Sequence, residues 1–288
     1  MSVRLKFSIE LNYTVSDAGS DFIFNVHAAQ TPHQFVVCEA LEISQPLAHT
    51  VYTDPASHNR LLRLKANDGA LRVHYAATVD LNHASAQPEQ ISEAAVANWP
   101  GAVLPYIYPS RYCQSDRLVR FATHEFGHLW QGYSRAQAIC DWVTNRVTFR
   151  SNSSNGNTTA VDTLVEKAGV CRDFAHLMIA LCRAVNIPAR FATGIDFGAA
   201  PELGPTDFHA YVEVYLADRW YLFDPSGVAV PMGFLRLGTG RDAADAAFAT
   251  IFGAVLGSAP VISINAIPNA QGVLVVPTRV PCALSTDG

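Results

Sequence analysis

The sequence predicts an α+β protein in two parts, an N-terminal β-sandwich followed by a mixed region in which a cysteine-bearing helix leads into an antiparallel sheet. Three observations carry this. Leu5, Phe7, Ile9, Leu11 and Tyr13 alternate with Lys6, Ser8, Glu10 and Asn12, the period-2 pattern of a half-buried strand. Asn67-Asp68-Gly69 separates two strand-like segments, 61–66 and 70–79, as a hairpin turn would. From Cys171 onward, Phe174, Leu177, Met178, Leu181 and Val185 recur at helical spacing, and three strand-like segments follow.

In chain order, residues 17–21 (Asp-Ala-Gly-Ser-Asp) form a turn cluster, and 22–28 and 35–43 read as strands. Several short strands separated by turns point to a sandwich. Nothing in this stretch groups a nucleophile, a base and an acid, so its expected role is structural or substrate-presenting. Residues 87–134 are rich in proline, aromatics and histidine and read as a connection. The boundary is placed so that 1–100 is the sandwich and 101–288 the second domain with a C-terminal tail. Ser134 is a candidate N-cap for a helix over 135–145, where Ile139, Trp142 and Val143 share a face. Residues 151–159 are a polar loop, 162–167 a short helix, and Gly169 its expected stop. Pro188 ends the Cys171 helix. Strands are expected over 190–194, 208–216 and 220–224. The stretch 243–264 reads as a helix followed by a loop or strand, its apolar run being too short to cross a bilayer.

The 288 residues suit two domains, and 49% hydrophobic against 16% charged residues excludes global disorder. A formal charge of −5 and a pI near 6.0 count against nucleic acid and anionic membrane partners, which need a basic face. The opening residues lack the apolar core of a signal peptide. Six scattered cysteines without a CxxC pair fit a reducing compartment, so a cytoplasmic location is expected.

The chemistry concentrates after residue 170. At the first turn of a helix, Cys171 meets backbone N–H groups without intrahelical partners and the positive end of the helix dipole. Both favour thiolate over thiol, and the same N–H groups can stabilise an oxyanion. His209, Tyr211, Glu213 and Tyr215 share one face of the next strand. If the following hairpin has a two-residue loop, Leu216 pairs with Arg219 and Asp224 becomes a diagonal neighbour of His209. A three-residue loop without a bulge breaks that parity.

The segments Gly-Val-Cys171-Arg-Asp-Phe-Ala-His-Leu, Asn-Ile-Pro-Ala-Arg, His209-Ala-Tyr-Val-Glu-Val-Tyr and Trp220-Tyr-Leu-Phe-Asp224-Pro resemble the core of the bacterial transglutaminase-like superfamily. The similarity extends upstream through Leu104-Pro-Tyr-Ile-Tyr-Pro-Ser-Arg-Tyr-Cys113 and downstream to residues 238–245. The resemblance implies a papain-like core in which the Cys171 helix packs on an antiparallel sheet carrying His209 and Asp224. It implies a Cys171, His209, Asp224 triad, thiol attack on a peptide or protein amide, and an acyl-enzyme resolved by water or an amine. That chemistry calls for no metal or organic cofactor.

Other residues are weighed in the same way. His124-Glu125-Phe126-Gly127-His128 matches H-E-x-x-H and would support a zinc peptidase if both histidines shared a helix face. Gly127 weakens such a helix, and no third ligand follows at the expected spacing. A non-catalytic binding module of the same fold is the remaining alternative. His176 and Asp173 read as structural or helix-capping, and Arg172 as either or neither. Tyr211 and Trp220 read as core or cleft-wall aromatics, and Cys182 as core. Cys38, Cys113, Cys140 and Cys282 read as structural. Arg241 and Asp242 read as a surface pair, with a role near the cleft as the alternative, and loop 196–207 reads as a cleft wall.

Overall fold

The computed structural model describes residues 2–16 and 19–287. Asp17 and Ala18 of the expected turn cluster lie outside the described residues, and Ser20 and Asp21 already belong to a strand. The N-terminal strands are β1 (Val3–Val15), β2 (Ser20–Phe24), β3 (Gln34–Ile43), β4 (His49–Thr53), β5 (Arg60–Ala66) and β6 (Gly69–Leu81). β1, β6 and β3 lie side by side in one sheet, and β2, β5 and β4 in a second. Alternation decides which face is buried. Leu5, Phe7, Ile9 and Leu11 of β1 meet Phe22, Phe24, Leu62 and Leu64 of the other sheet in one core. Each such side chain contributes about 1.5–3 kcal/mol on burial. The 67–69 turn joins β5 to β6 across the two sheets, because β6 pairs with β1 and β3 rather than β5. It is therefore a corner of the sandwich and not a two-stranded hairpin.

The second part follows a short strand, β7 (Ala84–Ala86). Its elements are α1 (Ser115–Phe126), α2 (Tyr133–Arg146), β8 (Thr148–Phe149), α3 (Ala160–Glu166), β9 (Ala168–Gly169), α4 (Cys171–Ala184), β10 (Ala189–Ile195), β11 (Phe208–Leu216), β12 (Arg219–Phe223) and β13 (Gly238–Gly240). The sheet order is β12-β11-β10-β13, antiparallel throughout. α4 packs against α1, α2, α3, β10 and β11, and every residue from Asp173 to Ala184 is buried. Ala210, Val212 and Val214 of β11 join its core, so His209, Tyr211 and Glu213 fall at the alternate positions of the same strand.

Helix α1 lies in the stretch expected to be a connection. Leu118, Ala122 and Phe126 make its buried stripe. Helix α3 stops at Lys167, which takes a left-handed φ of 55°, rather than at Gly169, which belongs to β9.

The expected helix within 243–264 is absent. β14 (Ala249–Phe252) instead pairs with β2, and β15 (Val255–Gly257) and β16 (Val261–Ile267) pair with β1. Residues assigned from sequence to the tail of the second domain thus complete both sheets of the sandwich. Ile251, Val255, Ile262 and Ile264 pack against its core. The last strand, β17 (Ala283–Ser285), pairs with β7.

Side-chain amides of the sandwich hold the segment that runs from Arg236 into β13. Gln34 Nε2 donates to Arg236 O at 2.8 Å while its Oε1 accepts the Arg236 N–H at 2.8 Å. Asn59 does the same with Thr239, at 2.8 and 2.9 Å. Beside them, Glu213 pairs with Arg190 and Arg236 at 2.5 and 3.2 Å. Asp287 pairs with the same two arginines at 2.5 and 2.9 Å, so two buried cations meet two carboxylates where the C-terminus docks.

Candidate active site

Cys171 is the first residue of α4 and is half-buried. The strand pair β8–β9 delivers the chain to it, and Asp173 closes the helix start by accepting the Val170 N–H at 2.9 Å. A side chain at Gly169 would bring its Cβ within 2.7 Å of Asp173 Cβ, so the cap requires glycine there. Arg172 pairs with Asp173 at 2.9 Å and donates to Asn155 O at 2.8 Å, tying the polar loop 151–159 to the helix start. Val170 O accepts the N–H groups of Asp173 and Phe174. Those of Cys171 and Arg172 have no acceptor among the described residues, as an oxyanion site needs.

The hairpin between β11 and β12 has a two-residue loop, with Leu216 paired to Arg219 and Val212 to Phe223. His209 Nε2 lies 3.3 Å from Asp224 Oδ2, and both side chains are almost wholly buried. Burial pushes the His209 imidazole down, but the Asp224 carboxylate and neighbouring Cys171 outweigh it and hold the ring well above its ordinary value. Burial pushes Asp224 up, yet His209 and the Ser226 hydroxyl keep it below the usual carboxylate range. The structure thus sets the His209–Asp224 pair, from β11 and the residue after β12, near Cys171 at the start of α4.

The remaining sequence candidates sort by contact. His176 is buried between the rings of Tyr112 and Phe191, and its Nε2 accepts the Ala243 N–H at 3.1 Å. Burial lowers it to about 3, which keeps it neutral. Tyr211 is fully buried and stacked on Phe234. Trp220 packs on Tyr106 and Tyr215. Cys113, Cys140 and Cys182 are buried and pushed up by burial, Cys113 and Cys182 to about 12. Cys38 is exposed and Cys282 half-buried. Arg241 pairs with Asp245 rather than with Asp242. Asp242 is buried and accepts the Tyr112 N–H at 2.9 Å. In loop 196–207, Asp196 accepts the Asp207 N–H at 3.0 Å and is raised, chiefly by burial, with His209 nearby opposing the shift.

The H-E-x-x-H stretch does not form a ligand face. α1 ends at Phe126, Gly127 is its C-cap, and His128 follows in a turn. Among the described residues no group of three His, Cys, Asp or Glu side chains is placed to hold a metal. No described helix is long and apolar enough to cross a membrane.

A turn starting at Asp224-Pro225 is legible in the sequence, but the sequence reading assigns no role to Ser226 within it. Ser226 Oγ donates to Asp224 Oδ1 at 2.6 Å, and the Ala229 N–H donates to Oδ2 at 3.0 Å. A Ser two residues after an Asp is the pattern of a local side-chain turn and was available in the sequence.

A half-buried cysteine at a helix N-terminus, set against a buried His–Asp pair on an antiparallel sheet, defines an α+β protein with thiol chemistry within reach. The model of the transglutaminase-like superfamily matches residues 114–225, and that of the bacterial transglutaminase N-terminal domain matches 3–102. The crystal structure of a candidate cysteine protease from Cytophaga hutchinsonii is 37% identical, covers 99% of this chain and 98% of its own, and superposes with a TM-score of 0.90. The chain belongs to the transglutaminase-like superfamily. The uncharacterized protein ML0607 of Mycobacterium leprae is 27% identical over 115 residues, which span 38% of this chain and 41% of that protein. The uncharacterized protein Rv2569c of Mycobacterium tuberculosis is 31% identical over 109 residues, 34% of this chain and 35% of that protein. The chain therefore matches less than half the length of these curated relatives.

Proposed function

We propose that the protein is a thiol-dependent acyl-transfer enzyme that cleaves or transamidates peptide or protein amide bonds. The supporting observation is the buried His209–Asp224 contact of 3.3 Å with Cys171 beside it at a helix N-terminus. Likeness to a candidate cysteine protease over nearly the whole chain agrees with it.

In this reading Cys171 Sγ attacks the amide carbonyl carbon. The free N–H groups at the start of α4 receive the developing oxyanion. His209, protonated by the thiol, passes that proton to the leaving amine as the C–N bond breaks, leaving a thioester on Cys171. Water or an amine then attacks the thioester, giving up a proton through His209 and regenerating the thiol. Asp224 orients His209 and balances its charge. The chemistry runs on these side chains and backbone N–H groups, and it calls for no metal or organic cofactor. The free cysteines suit the cytoplasm, which we propose as its location.

The test is the iodoacetamide alkylation rate of each cysteine from pH 5 to 9, mapped by mass spectrometry. Cys171 reacts fastest, stays reactive near pH 6, and slows when His209 is replaced by Ala. A Cys171 as slow as buried Cys182 across the range would sink the assignment. With an amide substrate in hand, Cys171→Ala lowers turnover by at least about 10⁴-fold at unchanged fold.

A further inference from the structure

The geometry points to Ser226 as a positioning residue whose hydroxyl locks the Asp224 carboxylate so that Oδ2, and not Oδ1, is presented to His209. The inference rests on the acyl-transfer reading of the site and adds to it a residue outside the triad.

The two oxygens of Asp224 have separate partners. Oδ1 accepts the Ser226 hydroxyl at 2.6 Å and the Ser226 N–H at 3.1 Å. Oδ2 accepts the Ala229 N–H at 3.0 Å and faces His209 Nε2 at 3.3 Å. Ser226 Oγ also accepts the Val228 N–H at 3.3 Å, so its own proton is directed at Asp224. The turn itself is pinned to α2, because Thr144 Oγ1 lies 2.8 Å from Pro225 O. A carboxylate held at four points cannot rotate about its last bond without giving up charge-assisted hydrogen bonds.

The catalytic cycle explains why a hydroxyl is needed there. While His209 is charged, Asp224 has a counter-cation. Once His209 has given its proton to the leaving amine, Asp224 is a buried anion facing a neutral ring. Burying a charge without hydrogen bonds is costly, and protonation is the usual escape. The Ser226 hydroxyl and the two N–H groups take the place of water at that moment and keep the carboxylate charged and aligned.

The experiment compares the full-length wild type with Ser226→Ala, Ser226→Thr and Ser226→Cys. Cysteine keeps the volume of serine with a weak donor, so it serves where alanine fails to fold. The carboxyl carbon of Asp224 is followed by ¹³C NMR in aspartate-labelled protein and assigned with Asp224→Asn. Its titration midpoint moves about 1 pH unit or more upward in Ser226→Ala and Ser226→Cys, and returns in Ser226→Thr. Cys171 alkylation by iodoacetamide at pH 7 slows about tenfold in the first two and stays within about twofold in the third. An unmoved Asp224 midpoint in either folded variant lacking the hydroxyl overturns the inference, as does a threonine variant no better than alanine. A wild-type Cys171 without selective reactivity removes the acyl-transfer reading instead, and the carboxyl titration still judges the Ser226 contact by itself.

Discussion

Asp224 reaches His209 along the diagonal of a hairpin. The pairing of β11 with β12 ends at Val212 and Phe223, which leaves Asp224, the next residue, in phase with Tyr211 and His209 before the chain turns at Pro225 and Ser226. The carboxylate spans that diagonal to stand 3.3 Å from the imidazole, in a site where both side chains are 1–2% exposed. A wholly buried ion pair of this kind depends on both partners, and its strength depends on pH.

Replacing Asp224 by Asn exposes that dependence. His209 is raised by folding, so its contribution is complete below its unfolded value of about 6.5 and disappears as pH rises through the higher folded value. Asp224 is lowered, so its contribution is complete above about 3.9 and disappears as pH falls through the lower folded value. Both are complete between about pH 4 and 6.5. Urea unfolding across pH 4–10 should show Asp224→Asn destabilised by about 3 kcal/mol in that window, with the gap closing toward alkaline pH. A gap constant with pH would mean that the two groups do not titrate as a pair.

Gly169→Ala tests the platform on which Cys171 rests. The added methyl meets Asp173 Cβ at 2.7 Å, and Asp173 is the group that caps Val170 N–H. Either the cap moves or the strand β9 does. The expected cost is about 1–3 kcal/mol by thermal or urea unfolding, with slower Cys171 alkylation. A variant as stable and as reactive as the wild type would show that the helix start tolerates the shift.

His124→Ala and His128→Ala, singly and together, leave Cys171 reactivity and amide turnover within about twofold of wild type. Both histidines are exposed, and the helix that would have aligned them ends between them. Such surface changes are usually worth within about 0.5 kcal/mol. Loss of activity in the double variant, restored by added zinc, would return the H-E-x-x-H stretch to the mechanism.

Local rules made much of this architecture legible. The alternation from Leu5 to Tyr13 is the buried face of β1, and the short turn at Ala217-Asp218 set the parity that joins His209 to Asp224. Errors arose where a local pattern competed with a distant one. Leu118, Ala122 and Phe126 form a plain i, i+4, i+8 stripe, but His124 within it and Gly127 and His128 just beyond it overlay the helix with a metal-motif pattern. Lys167 takes the left-handed cap because it comes directly after the last turn of α3, whereas Gly169 is kept small by Asp173. Of residues 243–264, read as a helix followed by a loop or strand, the helix is absent and the end is strand β16. Strands β14 and β16 pair with β2 and β1, more than two hundred residues away, and no local signal reports such pairing.

That return of the chain predicts how the sandwich behaves alone. In the intact protein β16 and β15 cover one edge of β1, and β14 covers one edge of β2. A fragment of residues 1–100 leaves both edges bare, with Phe7, Ile9 and Phe22 behind them in the core. Open edges of this length invite pairing with other chains. The fragment should therefore be poorly folded or associated in size-exclusion chromatography and should lack a cooperative unfolding transition. Supplying residues 249–267 through a flexible linker should restore a monomer with such a transition. A fragment of residues 1–100 that unfolds cooperatively as a monomer would show that the returning strands decorate the sandwich without completing it.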